Sequence, residues 1–126
     1  MNDKTNAIIE RYLEAYNAFD MEGMAQLLHE DIVFRNFHNG EQNAETQGVQ
    51  AFRELAEKSA ALFSSRRQQA VHYRDTDGSI EVEIDYTAVL AADLPNGMKA
   101  GDQLRLKGTS VFDLRDGKIL RIEDYS

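Results

Sequence analysis

The sequence predicts an α+β fold: a cone-shaped barrel of three N-terminal helices packed on a curved, mostly antiparallel sheet. Two observations carry this expectation. The apolar period is helical in the first half of the chain and becomes two after Gln68. The pairs Asp77-Gly78 and Asp116-Gly117, which favour tight hairpins, punctuate the second half. Helices segregated from an antiparallel sheet cover one of its faces. A strongly curved meander on one long helix leaves a blind pocket between the first helix, the third helix and the concave face, where small ligands bind.

Taken in order, Ile8, Ile9, Tyr12, Leu13 and Tyr16 recur at helical spacing, with Asp3, Thr5 and Asn6 as alternative N-caps. A first helix is expected over about residues 5–19. Asp20 caps a short second helix carrying Met24, Leu27 and Leu28, which stops near Asp31 where the period becomes two. Ile32–His38 reads as a strand and the polar stretch 39–47 as a loop. Val49, Phe52, Leu55, Ala56, Ser59, Ala60 and Phe63 mark a third helix, ended by Ser64-Ser65. A short strand, Ala70 to Arg74, precedes the Asp77-Gly78 turn. The long strand beyond it carries Ile80, Val82, Ile84, Tyr86, Ala88 and Leu90 on one face and Glu81, Glu83 and Asp85 on the other. After a turn at Pro95-Asn96-Gly97, Leu104, Leu106, Gly108, Ser110, Phe112 and Leu114 share a face of the next strand. Beyond Asp116-Gly117, Leu120, Ile122, Asp124 and Ser126 share a face of the last.

Composition narrows the function. The chain has 126 residues, 42% hydrophobic and 29% charged, with no repeat or linker, and reads as one domain over residues 1–126. It has no cysteine, which removes disulfides, thiolate-bound metals and thiol catalysis and fits a reducing compartment. With 22 acidic residues against 14 basic ones, a formal charge of −8, its average field repels phosphate backbones and anionic lipids. Neither nucleic acid nor a membrane is an expected partner. The longest apolar run, Ala88 to Ala92, falls far short of the ~20 residues a span requires. The opening Met1-Asn2-Asp3-Lys4 has no apolar signal core, so a cytoplasmic protein is expected. Arg66-Arg67 is an isolated basic pair on a helix-to-strand connection. His29, His38 and His72 lie in different elements without ligand spacing, so no metal is expected. The sequence has no phosphate-cradling glycine loop, nucleophile elbow or dinucleotide fingerprint, and no cofactor is expected.

The order of elements, the opening Glu10-Arg11-Tyr12-Leu13-Glu14-Ala15-Tyr16-Asn17-Ala18-Phe19-Asp20, Gly48 leading the third helix and the closing Asp116-Gly117-Lys118-Ile119-Leu120-Arg121-Ile122-Glu123-Asp124-Tyr125 resemble the nuclear transport factor 2-like superfamily. Within it, the SnoaL-like branch, which contains polyketide cyclases, fits best, and the resemblance covers nearly the whole chain. Set against ketosteroid isomerases, Tyr12 matches the tyrosine of the first helix. Asn36 stands where the carboxylate base would be and Ser110 where the protonated acid would be; an amide takes no proton at neutral pH. Set against limonene epoxide hydrolases, Asp124 matches the last-strand aspartate. Glu83-Ile84-Asp85 stands at their Arg-x-Asp, with the charge inverted and Glu83 outward by parity. Set against polyketide cyclases, Asn36 and Asp124 match the first-strand polar residue and the last-strand acid–base aspartate. Ser110 replaces a histidine there, and His38, on the same strand face as Asn36, is a candidate to supply the imidazole.

The resemblance therefore implies Asp124 as acid–base residue, with Tyr12 and Asn36 hydrogen-bonding a developing enolate. His38, Ser110, Tyr16, Phe34, Phe52 and Ile122 are the expected substrate-binding set, and the substrate class implied is a small, mostly apolar molecule bearing a carbonyl. Desolvation should raise the Asp124 pKa above the ~3.9 of a free aspartate. Two function classes stay open. One is a cofactor-independent cyclase-, isomerase- or hydrolase-like enzyme; the other is a non-catalytic ligand-binding or dimeric interaction domain. An enzyme requires space beside Asp124 that Tyr12 or Asn36 also borders, whereas an interaction module would fill the cone with Phe, Leu and Met. Val71, Tyr73, Val89 and Val111 lie opposite the inward set by parity, and a homodimer through the sheet would cover them.

Overall fold

The computed structural model describes residues 3–126. Its elements are α1 (Asp3–Asn17), α2 (Met21–Gln26), β1 (Leu28–His38), β2 (Glu41–Gln47), α3 (Val49–Ala60), β3 (Phe63–Thr76), β4 (Ser79–Leu90), β5 (Gln103–Arg115) and β6 (Lys118–Tyr125). The six strands form one sheet in the order β2-β1-β6-β5-β4-β3. Neighbours are antiparallel except β1 and β6, which run parallel. The helices cover one sheet face, α1 against β3 and α3 against β1 and β2. This is an α+β fold. Only α1 and α2 precede the sheet in sequence, since α3 falls between β2 and β3.

The core lies between the two layers. Ile9, Tyr12 and Leu13 of α1, Met24 of α2 and Phe52 of α3 meet Ile32, Ile80, Val82, Ile84, Phe112, Ile119 and Ile122 of the sheet. The alternation read along β4 is present: Ile80, Val82, Ile84, Ala88 and Leu90 are buried, while Glu83 and Asp85 are exposed. Asp20 caps α2 as its position suggests, its carboxylate accepting from the Gly23 N–H at 2.9 Å. Thr5 and Asn6, two of the alternative caps, lie inside α1. The Asp3 side chain, and the Met1-Asn2 start, lie outside the described residues.

Several boundaries differ from the sequence pattern. The second helix ends at Gln26, well before Asp31, because Leu28 is already paired with Ile119 of β6. Residues 41–47 are a strand rather than a loop. Asn39 and Gly40 both take positive φ, 52° and 82°, the geometry of a two-residue turn whose twist suits a hairpin. The strand that follows is polar because it is an edge, and polar edges resist further pairing. Phe63 opens β3 instead of closing α3, and β3 runs from there to Thr76.

Two register shifts reassign faces. Ala70 pairs with Ile84 and His72 with Glu83, so Val71 is an extra residue at a bulge and is 58% exposed. Tyr73 then faces Val82 and packs on the core, not on the outer face where simple alternation puts it. On β6, Leu114 pairs with Ile119 and Asp113 with Arg121, leaving Leu120 as the extra residue. Ile119 is consequently the buried side chain and Leu120 only half-buried, while the predicted parity holds from Ile122 onward.

Candidate functional site

One row of residues crosses the helix-covered face. Val82 of β4 stands opposite Ser110 of β5, Ser110 opposite Asp124 of β6, Asp124 beside Asn36 of β1, and Asn36 opposite Ala44 of β2. Ser110 Oγ donates to Asp124 Oδ1 at 2.7 Å. Asn36 Nδ2 donates to Asn43 Oδ1 at 2.8 Å. Asn43 is an extra residue of β2, where the register passes from Asn36–Ala44 to Phe37–Gln42. A bulge of this kind re-aims a side chain, and Asn43 borders the cavity next to Asn36.

Two hollows meet at this row. The larger, about 470 Å³, lies under α1 and α3 and is bordered by Tyr12, Phe34 and Phe52. The smaller, about 170 Å³, is bordered by Ser110, Gly108 and Ile84. Tyr16, Asn36, Tyr86 and Asp124 border both. The larger volume lies within the range of small-ligand pockets, roughly 300–1,000 Å³. Gly108 has a steric reason: a Cβ there would come within 2.5 Å of the Tyr125 carbonyl oxygen, so only glycine lets β6 pass this close.

The electrostatics follow from burial. Desolvation pushes the Asp124 carboxyl up to about 6, against the lowering effect of the Ser110 hydroxyl. Burial also raises the phenols of Tyr12, Tyr16 and Tyr86, and the Asp124 charge raises them further. All three are therefore neutral at physiological pH and keep a proton to donate. The Tyr16 and Tyr86 hydroxyls are 3.1 Å apart. Tyr12 is held by an edge contact to Phe112, ring centroids 5.9 Å apart, and a tilted one to Phe52 at 6.4 Å.

Of the residues singled out in the sequence, Tyr12, Tyr16, Phe34, Asn36, Phe52 and Asp124 border the larger cavity, and Ser110 borders the smaller. Ile122 stands between Phe34 and Phe112 in the adjacent row; it is buried in the core and borders neither. His38 is exposed at the end of β1, its Nδ1 lying 3.3 Å from Ser126 Oγ, and it borders neither hollow. Among the described residues, no three His, Asp or Glu side chains gather as a metal-binding group.

Sequence reasoning leaves Tyr86, which it places on the inward face of β4, out of the site set, and passes over Asn43 and Arg66. Asn43 sits in the stretch read as a loop. Arg66, read as half of a basic pair on a connection, is a buried residue of β3, 5% exposed, opposite Ala88 on the helix-covered face and bordering the larger cavity. Its guanidinium carbon lies 3.7 Å from the Tyr16 ring centroid and 4.4 Å from that of Phe19. Its Nε donates to the Tyr16 carbonyl at 2.9 Å. Parity with Gln68 and Ala70 would have placed it inward had the strand been started at Phe63.

The SnoaL-like domain family matches residues 9–122. No curated protein matches the chain. Among solved structures it is similar to a candidate polyketide cyclase from Xanthomonas campestris pv. campestris, with a TM-score of 0.82 and 23% identity over 98% of this chain and 90% of that one. It is also similar to a protein of ketosteroid isomerase-like fold from Catenulispora acidiphila (TM-score 0.78, 13% identity, 94% and 84% covered). A third is an LEH-like epoxide hydrolase of M. tuberculosis (TM-score 0.75, 16% identity, 97% and 81% covered). At these identities the likeness speaks for the fold. The helix order, the mixed sheet and the family match over residues 9–122 agree, and the chain belongs to the SnoaL-like domain family of the nuclear transport factor 2-like superfamily.

Proposed function

We propose that the chain is one cone-shaped, small-molecule-binding domain that works as a cofactor-independent acid–base enzyme of cyclase or isomerase type on a mostly apolar carbonyl compound. One observation carries this reading: a single carboxyl with a pKa raised to about 6, Asp124, stands on the wall of a cavity that Tyr12 and Asn36 also border. A general base is most effective when its pKa lies near the working pH, and Asp124 is closer to neutrality than a free aspartate. Its carboxylate takes the acidic proton from the carbon next to the substrate carbonyl. The electron pair moves onto oxygen as an enolate, which the Tyr12 hydroxyl and the remaining Asn36 N–H stabilise. In an isomerisation the proton returns from Asp124 to another carbon. In a cyclisation the enolate carbon bonds to a second carbonyl of the same molecule, and the new alkoxide takes the proton from Asp124. The names of the structural relatives, cyclase among them, support this class. The absence of cysteine supports a reducing, cytoplasmic setting.

The test uses 2-tetralone in D2O, followed by proton NMR. The protein should accelerate deuterium uptake beside the carbonyl, and Asp124→Asn should lose that acceleration. Binding of 2-tetralone with equal exchange in both proteins would favour the non-catalytic ligand-binding reading.

A homodimer through the outer sheet face belongs to the same proposal. That face carries half-buried Val89 and Val111, the stacked pair Phe37 and Tyr125 at 4.7 Å, and Glu123, 8% exposed although it points away from the helices. Light scattering at micromolar concentration should return twice the monomer mass; a monomer removes the claim.

A further inference from the structure

Arg66 supplies the cavity with a cation for which the proton transfer above has no use. Arg35, Arg53 and Arg121 each hold a carboxylate at 2.6–2.9 Å. Arg66 is more buried than any of them and has no acidic partner among the described residues. Its Nη2 is buried without any hydrogen-bond partner, and Asp124 across the same cavity is bonded to Ser110 instead. An unpaired guanidinium taken out of water is costly, and such groups are normally completed by an anion.

The guanidinium is also held in place. Two rings lie against it, and Nε is fixed on the Tyr16 carbonyl. Phe19, which supplies one of those rings, does so from a positive φ of 58°, a strained backbone for an aromatic residue. The same cavity is lined by Ala56, Ser59, Leu62 and Phe63, mostly apolar, and Asp124 is the one acidic residue of its lining among the described residues.

We propose that the cavity takes a small organic acid: an apolar molecule whose carboxylate docks in plane on the terminal edge of the Arg66 guanidinium, the two Nη groups that the rings and the Tyr16 carbonyl leave unbonded. The planar fork matches a carboxylate with two parallel N–H donors. The proposal rests on the reading of this cavity as a small-molecule site, and it gives that site a charge requirement. It does not depend on Asp124 acting as a base.

The experiment compares 2-naphthoate with its neutral isostere 2-naphthamide by isothermal titration at pH 7.5. Wild-type protein should bind the carboxylate at least tenfold more tightly than the amide. Arg66→Gln should abolish that preference and leave the affinity for the amide within twofold. Arg66→Lys, which keeps the charge and loses the fork, should show a reduced preference, and it serves as the readout if circular dichroism shows Arg66→Gln to be unfolded. Asp124→Asn should keep or increase the preference, because it removes a like charge, even while proton exchange is lost. Equal affinities in the wild type, a preference undiminished in either Arg66 variant, or no binding of either compound would overturn the proposal. Exchange that is absent in the wild type, or unchanged in Asp124→Asn, would by itself overturn only the catalytic reading.

Discussion

Ser110 and Asp124 are a register pair on β5 and β6, and the hydroxyl of one is bonded to the carboxylate of the other at 2.7 Å on the cavity side of the sheet. The bond occupies Oδ1 and leaves Oδ2 for a substrate proton. It also opposes the desolvation that lifts the carboxyl.

Ser110→Ala should therefore move the carboxyl further up. In the wild type, proton exchange on 2-tetralone rises with pH through about 6, as Asp124 ionises, and then levels off. The variant should show the same limb displaced to higher pH by roughly one to two units, the worth of a charge-assisted hydrogen bond. A pH–rate profile reads the displacement directly.

Asp124→Asn should retain the fold, abolish exchange and stabilise the protein at neutral pH. The sign follows from linkage: the folded carboxyl titrates near 6 and the unfolded one near 3.8, so the folded state binds more protons between those values. That stabilisation is full below the unfolded value and is lost as pH rises through the folded one, a span of at most about 3 kcal/mol. Thermal melts at pH 7.5 should show the Asn variant higher than wild type, and the gap should close towards pH 4.

Asn36→Leu should change the affinity for 2-tetralone severalfold while costing less than about 1 kcal/mol of stability, because Asn43, the partner left behind, is open to solvent. Paired titration and denaturant unfolding check both halves. Lost folding with unchanged binding would assign Asn36 to packing.

Gly108→Ala should destabilise by roughly 2–4 kcal/mol, since the new methyl meets backbone rather than a side chain that can swing away. Because the carbonyl it strikes belongs to Tyr125, next to Asp124, exchange activity should fall in protein that is still folded. Urea unfolding together with the tetralone assay separates the two effects.

On the outer face, Glu123 accepts from Arg35 at 2.9 Å, Arg121 at 2.6 Å and the Tyr125 hydroxyl at 2.9 Å. Glu123→Gln should cost roughly 1–3 kcal/mol. Burial acts to raise the Glu123 and Asp113 carboxyls, but their bonds to arginine and hydroxyl groups outweigh it and hold them below their usual range. Their contribution is present above the unfolded value and lost as pH falls through the folded one, opposite in sign to that of Asp124. A stability profile from pH 3 to 8 should show both limbs, and the Gln variant should flatten the acidic one.

Much of this was legible in the residues. Parity along β4 and β5 places Ser110 inward, and parity from Ile122 places Asp124 beside it. What misled were positions where a bulge resets the period, since a count of alternation carries straight through an extra residue: it puts Tyr73 outside and Leu120 inside. The β2 strand was hidden by its polarity although Asn39-Gly40 announces a hairpin. Arg66 was hidden because Ser64-Ser65, which lie inside β3, are residues as apt for a helix end as for a strand. The register with Ala88 gives the inward direction that parity with Gln68 and Ala70 also gives once the strand is taken back to Phe63.

The parallel pairing of β1 with β6 has a consequence for how the molecule comes into being. The last strand in sequence is third in space, so β2-β1 and β5-β4-β3 remain separate fragments until it is inserted between them. Closure joins segments roughly ninety residues apart, Asn36 to Asp124 among them, and such long-range pairings are slow to form. On a ribosome the half-built sheet must wait, with two unpaired edges showing, until β6 has emerged. Helices and hairpins assemble early in that sequence of events, whereas the carboxylate arrives with the stitch that seals the sheet.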